Sequence, residues 1–176
     1  MKPWIVAAAL ALGLTGGAAS AQAVSDSSAP VDISADESEV LNSQCLSIWR
    51  GNVEVLQDKT RLRASRMTVY YQKRSGGGGC SATADRIVAE GNVFYVTQEQ
   101  AVRGDTAVYQ YAADTITISG DVVAVQGQDV VRGDRMTIKV RTNDVKMESN
   151  VKGRGKTGRV RAVIYPDAKK NAAGKP

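Results

Sequence analysis

Three segments of this chain repeat one pattern at one internal spacing. Gly51-Asn52-Val53 is followed, twelve residues after its glycine, by Arg63-Ala64-Ser65-Arg66-Met67. Gly91-Asn92-Val93 leads at the same distance to Arg103-Gly104-Asp105-Thr106-Ala107, and Gly120-Asp121-Val122 to Arg132-Gly133-Asp134-Arg135-Met136. A unit that keeps its spacing this well is one supersecondary element stacked on copies of itself, because a single copy cannot bury its own apolar face. The second and third starts lie 29 residues apart and the first and second 40. The excess is an insertion, residues 72–82, which reads as a flexible loop because the run Gly76 to Gly79 cannot hold a strand. A further step of 29 from Gly120 reaches Ser149-Asn150-Val151, a degenerate fourth start. At the other end, Ser34-Ala35-Asp36 sits where the arginine segment of a preceding half unit would fall.

Each unit has the period of a strand. Counted from the glycine as zero, even positions are apolar: Ile87 and Ile116 at −4, Ile118 and Met147 at −2, and Val53, Val93 and Val122 at +2. Val55 and Tyr95 follow at +4, Met67 and Met136 at +16, and Val69, Tyr109 and Ile138 at +18. Their odd neighbours include Glu54, Glu90, Thr68, Gln110 and Lys139. Alternation with period two means one buried and one wet face, so nearly the whole domain reads as antiparallel strands. Parity flips once per unit, since Leu62, Val102 and Val131 at +11 are odd and apolar. A small residue at +13 (Ala64, Gly104, Gly133) predicts an extra residue there, because one inserted residue reverses the faces of a strand. The glycine at zero reads as a bend or a close backbone contact inside a strand. Gln57-Asp58-Lys59, Gln98-Glu99-Gln100 and Gln126 to Asp129 fit turns, and Asp85, Asp114 and Asn143 are expected to close the turns at the opposite end.

The start of the chain reads as an export signal. Lys2 supplies a positive charge, Trp4 to Leu14 is an apolar run too short to span a bilayer, and small residues suit cleavage after Ala21 or Ala23. An uncleaved anchor is the alternative. Residues 22–30 then form a flexible lead-in, 31–166 a single β domain, and 167–176 a basic, disordered tail. No other stretch is apolar enough to cross a membrane, which predicts a soluble protein outside the cytoplasm. In such a compartment Cys45 and Cys80 could pair, since turns of neighbouring units should be adjacent, or remain two free thiols.

The net charge of +5 is concentrated in two clusters, Arg61 to Arg74 and Lys152 to Arg161. Such clusters serve solubility or meet an anionic partner such as a phosphorylated lipid or a membrane surface. Nucleic acid fits poorly, given export and a single phenylalanine, Phe94. The chain has no histidine, the usual general base and the commonest metal ligand, and no phosphate-binding loop. No metal, cofactor or catalytic set is therefore predicted. Asp105 and Asp134, beside Arg103 and Arg132, read as a ladder of Arg–Asp pairs rather than as catalytic carboxylates.

A repeating unit with one apolar face must cover it, either with a second sheet or with something apolar held between sheets. The even positions mix small residues with methionines, which suits flexible acyl chains as well as it suits a dry core. Burying a chain of about twelve carbons is worth on the order of 10 kcal/mol. An open stack also leaves a strand edge at each end, near Val31 to Leu41 and Val160 to Tyr165, where like domains could pair.

Ile33-Ser34-Ala35-Asp36, Gly91-Asn92-Val93, Arg103-Gly104-Asp105-Thr106-Ala107-Val108-Tyr109, Asp114 to Val122 and Arg132-Gly133-Asp134 together resemble the OstA-like repeats of the LptA family of lipopolysaccharide-transport proteins. The resemblance runs from about Val31 to Pro166 and includes the closing Gly158 to Pro166. It implies an open antiparallel β-jellyroll, twisted, with a V-shaped apolar interior that holds the acyl chains of lipid A. On that basis the interior site comprises the even-position residues named above, with Arg61, Arg63, Arg154 and Arg159 at a phosphate-binding rim. It further implies a periplasmic, non-enzymatic bridge that joins head to tail with an inner-membrane LptC-like domain, an outer-membrane LptD-like domain, or further copies of itself. The glycine insert with Cys80 departs from the family pattern. A structural envelope scaffold with a dry core is the alternative, and an enzyme acting on lipopolysaccharide or envelope glycan would require a convergent acid–base pair.

Overall fold

The computed structural model of the chain describes residues 29–166, with 75, 77 and 78 excepted. The expected export signal, most of the lead-in and the basic tail lie outside the described residues. Ten strands are present among the described residues: β1 Asp32–Ser34, β2 Glu37–Leu41, β3 Leu46–Gln57, β4 Thr60–Lys73, β5 Cys80–Val96, β6 Ala101–Gln110, β7 Thr115–Gln126, β8 Asp129–Lys139, β9 Asp144–Glu148 and β10 Arg161–Val163. All belong to one antiparallel sheet, and β3 to β8 follow one another as a meander. β1 and β2 both pair with β3, and β9 and β10 both pair with β8. Each edge is thus made of two short strands, separated by two residues at the first edge and by twelve at the last.

The breaks mark the ends of a line that crosses the whole sheet. Between β3 and β4 the register steps from Arg50↔Arg66 to Val53↔Ala64, so Gly51-Asn52 opposes Ser65 alone. Between β5 and β6 it steps from Glu90↔Thr106 to Val93↔Gly104, and between β7 and β8 from Ser119↔Arg135 to Val122↔Gly133. In every case two consecutive residues adopt positive φ: 73° and 46° at Gly51 and Asn52, 79° and 47° at Gly91 and Asn92, 85° and 37° at Gly120 and Asp121. Glycine tolerates that region freely and Asn or Asp more readily than other side chains. The extra residue therefore lies in this left-handed pair and not at +13, as the parity flip suggested. The strand that lacks the extra residue is the one whose faces reverse. Its small residue is needed for a different reason: a Cβ on Gly104 would lie 2.5 Å from Ile118, and one on Gly133 2.7 Å from the Glu148 carbonyl.

Polar side chains hold this line. Asn52 Nδ2 donates to Asp36 Oδ2 at 2.9 Å, and Ser65 Oγ donates to the Gly91 carbonyl at 3.2 Å. Asp134 Oδ2 accepts from Asn150 N at 2.7 Å and from Ser149 Oγ at 3.0 Å. The aspartates of this slot thus serve the bulges. Arg103 and Arg132 pair instead with Asp121, at 2.9 and 3.2 Å, because that carboxylate stands on β7 between the two strands that carry them. The expected Arg–Asp ladder is replaced by one acid shared between two arginines.

Asp114 and Asn143 close turns as expected, at φ 49° and 55°. Asp85 does not, because the insertion lengthens the hairpin around it. Lys73 pairs with Cys80, so β4 and β5 continue into the segment read as a loop and leave only residues 74–79 between them.

A single flat sheet has no second layer with which to bury a face. Yet Val93, Ile118 and Val122 are 0% exposed. The sheet folds over at the line of left-handed steps, and its far ends meet. Asn143 Nδ2, in the turn after β8, donates to Glu99 Oε2, in the turn after β5, at 3.0 Å.

Candidate functional site

Folding at the line turns the even-position side chains of both halves toward one interior. Val93, Tyr95, Ile118, Val122, Met136 and Ile138 are buried together, with Ile116 and Met147 packed against them. Val53, Met67 and Val69 form a second buried group, with Val55 and Ile87 against it. Leu62 packs on both groups, so the apolar lining is continuous from one to the other. Of the residues assigned to the interior from sequence, only Tyr109 stands apart from these groups. It is half-buried, its hydroxyl donates to Asp114 Oδ1 at 3.2 Å, and its ring lies 4.9 Å from that of Tyr111.

The lining also includes buried residues absent from that set: Ala64, Ala89, Val102 and Ala107. The parity flip marked Val102 and Leu62 as apolar at an odd position, and this was the signal that could have placed them inside. Burial pushes the Tyr95 phenol up to about 12, and burial followed by the nearby Asp114 carboxylate pushes Tyr109 likewise to about 12. Among the described residues, one polar group inside lacks a partner. The Trp49 indole Nε1–H is buried without an acceptor, on a side chain packed against the Val53, Met67 and Val69 group.

The arginines assigned to a rim stand in two places. Arg61 and Arg63 lie on the outward face, and both donate to Glu54 Oε1, at 3.1 and 3.0 Å. Arg154 and Arg159 lie in the exposed segment between β9 and β10. Cys45 and Cys80 form a disulfide with Cα atoms 5.3 Å apart, joining the turn before β3 to the start of β5. Among the described residues no group of three or more His, Cys, Asp or Glu side chains could hold a metal ion, and no helix is long and apolar enough to cross a membrane.

Both sheet edges expose apolar side chains. Val31 and Val40 do so at the first, 53% and 64% exposed, and Val163, Ile164 and Tyr165 at the last, 43%, 67% and 58% exposed. A continuous apolar interior thus lies between two edges that both carry exposed apolar side chains.

Comparison with known proteins agrees with this architecture. The crystal structure of LptH, the LptA-homologous periplasmic component of the lipopolysaccharide transport device of Pseudomonas aeruginosa, superposes with a TM-score of 0.66 at 18% identity, over 81% of this chain and 99% of that one. An uncharacterized protein of Rhizobium meliloti (strain 1021) is 32% identical over 115 residues, which span 59% of this chain and 61% of that protein. The family model for LptA and the N-terminal domain of LptD, described as lipopolysaccharide transport proteins, matches residues 32–144. Repeat, fold and family model agree, and the chain belongs to the LptA/LptD N-terminal domain family of lipopolysaccharide transport proteins.

Proposed function

We propose that this protein is a periplasmic bridge that carries lipopolysaccharide from the inner to the outer membrane, with the acyl chains held inside the folded sheet. The observation that carries this reading is the unbroken apolar lining, from Val53 through Leu62 to Met147, in a domain open at both edges. The orphan Trp49 N–H supports it, because an acylated ligand brings ester or amide carbonyls that could accept this bond. No step of the reading requires a catalytic residue. The exposed edges would pair with an LptC-like domain on one side and an LptD-like domain on the other, or with another copy of the chain. Arg154 and Arg159, exposed beside the last edge, would meet lipid phosphates as they pass; Arg61 and Arg63 would first have to give up Glu54.

Lipid extracted from the purified exported protein and identified by mass spectrometry tests this directly. The wild type should carry lipopolysaccharide. Val93→Asp and Ile118→Arg place charge at positions 0% exposed and should abolish loading. Ile87→Arg does so at a half-buried position, where the fold has room to survive. A folded Ile87→Arg protein, checked by circular dichroism, that loads as the wild type does would rule out the interior as the lipid site. A second reading, a structural scaffold with a dry core, draws on how completely Val93, Ile118 and Val122 are buried by the chain's own side chains. It predicts no lipid in the same extract.

A further inference from the structure

The outward face of the sheet divides at the line of bulges into two halves of different chemistry. Directly opposed residues of antiparallel neighbours project from the same face. Beyond the line, Arg63 faces Phe94, Phe94 faces Arg103, Arg103 faces Val123, Val123 faces Arg132, and Arg132 faces Arg161. One row therefore places an arginine on alternate strands from β4 to β8 and a last one on β10. Two residues further out runs a parallel row. Arg61 stands between Leu56 and Val96, and the row continues through Ala101, Val125, Val130 and Val163. Apart from Arg61 its members from β3 to β10 are apolar.

Charge along the arginine row is not cancelled. Glu54 is shared by Arg61 and Arg63, and Asp121 by Arg103 and Arg132, so each trio keeps a net positive charge. Arg161 has no acidic partner among the described residues. Exposed apolar area lies in the same place. Phe94 and Val125, 44% and 37% exposed, are the large apolar residues that strands with neighbours on both sides present to solvent, among the described residues. A depression of about 880 Å³ between the line of bulges and the β3–β4 turn is lined by Leu56, Phe94 and Val96 together with Lys59, Arg61 and Arg63 and the two acids Glu54 and Asp58. On the other half, Arg50, Arg66 and Arg135 stand directly across from Glu37, Glu90 and Glu148.

We propose that the basic half of the outward face is a docking surface for an anionic bilayer, with the arginine row at the level of the lipid phosphates and the apolar row against the interface. A broad sheet surface that is positive and bears apolar side chains between its charges is complementary to such a membrane. This goes beyond the transport reading and does not depend on it, since none of these residues lines the interior. Docking would hold the bridge at a membrane while both edges stay free for pairing.

The test is co-sedimentation of the exported protein with vesicles of mixed phosphatidylglycerol and phosphatidylcholine, against vesicles of phosphatidylcholine alone. The wild type should bind the anionic vesicles and not the neutral ones, and salt should weaken binding. Arg103→Gln/Arg132→Gln/Arg161→Gln should lower partitioning by about fivefold per arginine removed, while the lipid carried inside is unchanged. Arg50→Gln/Arg66→Gln/Arg135→Gln removes the same charge from the other half and should bind as the wild type does. The proposal is overturned if the wild type ignores anionic vesicles, if it binds neutral ones equally well, or if the two triple variants lose binding to the same extent.

Discussion

The first glycine of each left-handed pair leaves no room for a side chain. A Cβ on Gly120 would lie 2.1 Å from Asp105 Oδ2, at a φ of 85°. Gly127, in the turn between β7 and β8, has a φ of 60° but nothing within 4 Å of its Cβ position. Gly127→Ala should therefore cost only the backbone strain, about 1–2 kcal/mol. Gly120→Ala adds displacement of a carboxylate and should cost about 3 kcal/mol or more. Urea midpoints would compare the two, and equal shifts would refute the steric account. A second residue-scale effect concerns pH. Tyr95 titrates at about 12 in the folded chain, against 10.0 as an ordinary phenol. The neutral form is thus favoured by folding. Its contribution is complete below pH 10 and is lost as pH rises toward 12, by about 2–3 kcal/mol. Thermal midpoints of Tyr95→Phe should fall less over that window than those of the wild type; coincident curves would show that burial of the phenol has no such effect. Position zero was legible as a bend because glycine recurred there. The role of Asp105 and Asp134 was not, because a sequence pattern cannot tell which of two nearby acids an arginine reaches.

Among the elements, the hairpin of β4 and β5 departs most from the units beside it. Its strands continue through the insertion, and the Cys45–Cys80 disulfide ties its start to the neighbouring turn across a sequence separation of 35. Closing a loop of that length stabilises a fold by about 3–4 kcal/mol in the chain-entropy model. A Cys45→Ser/Cys80→Ser variant should unfold at correspondingly lower denaturant, and reductant should lower the wild type to the same level. No difference between the oxidised and reduced proteins would show that the sheet alone sets this stability. The strands were legible from period two, and so was the single apolar face. The site of the extra residue was displaced by twelve or thirteen positions, from Gly51-Asn52 to Ala64, because parity records that two paired strands differ by one residue but not which of them carries it.

For the whole molecule, the two open edges are where we propose that copies meet. Val40 and Ile164, at opposite edges, are 64% and 67% exposed. Head-to-tail pairing through them predicts that mass measured by light scattering rises with concentration. Val163→Lys/Ile164→Lys, which blunts one edge with charge, should hold the protein as a monomer. Growth of the variant to the same mass as the wild type would place the contact elsewhere.

The sequence by itself determined the run of strands, the apolar even positions and the family, because each depends on spacing along the chain. Only the tertiary structure decided that the sheet folds over at its line of bulges, that the Val53 and Val93 groups share one interior through Leu62, and that Arg63, Arg103, Arg132 and Arg161 fall in one row. Those relations join residues from strands far apart in sequence. They are fixed by pairing register and by the left-handed steps, neither of which a period of two specifies.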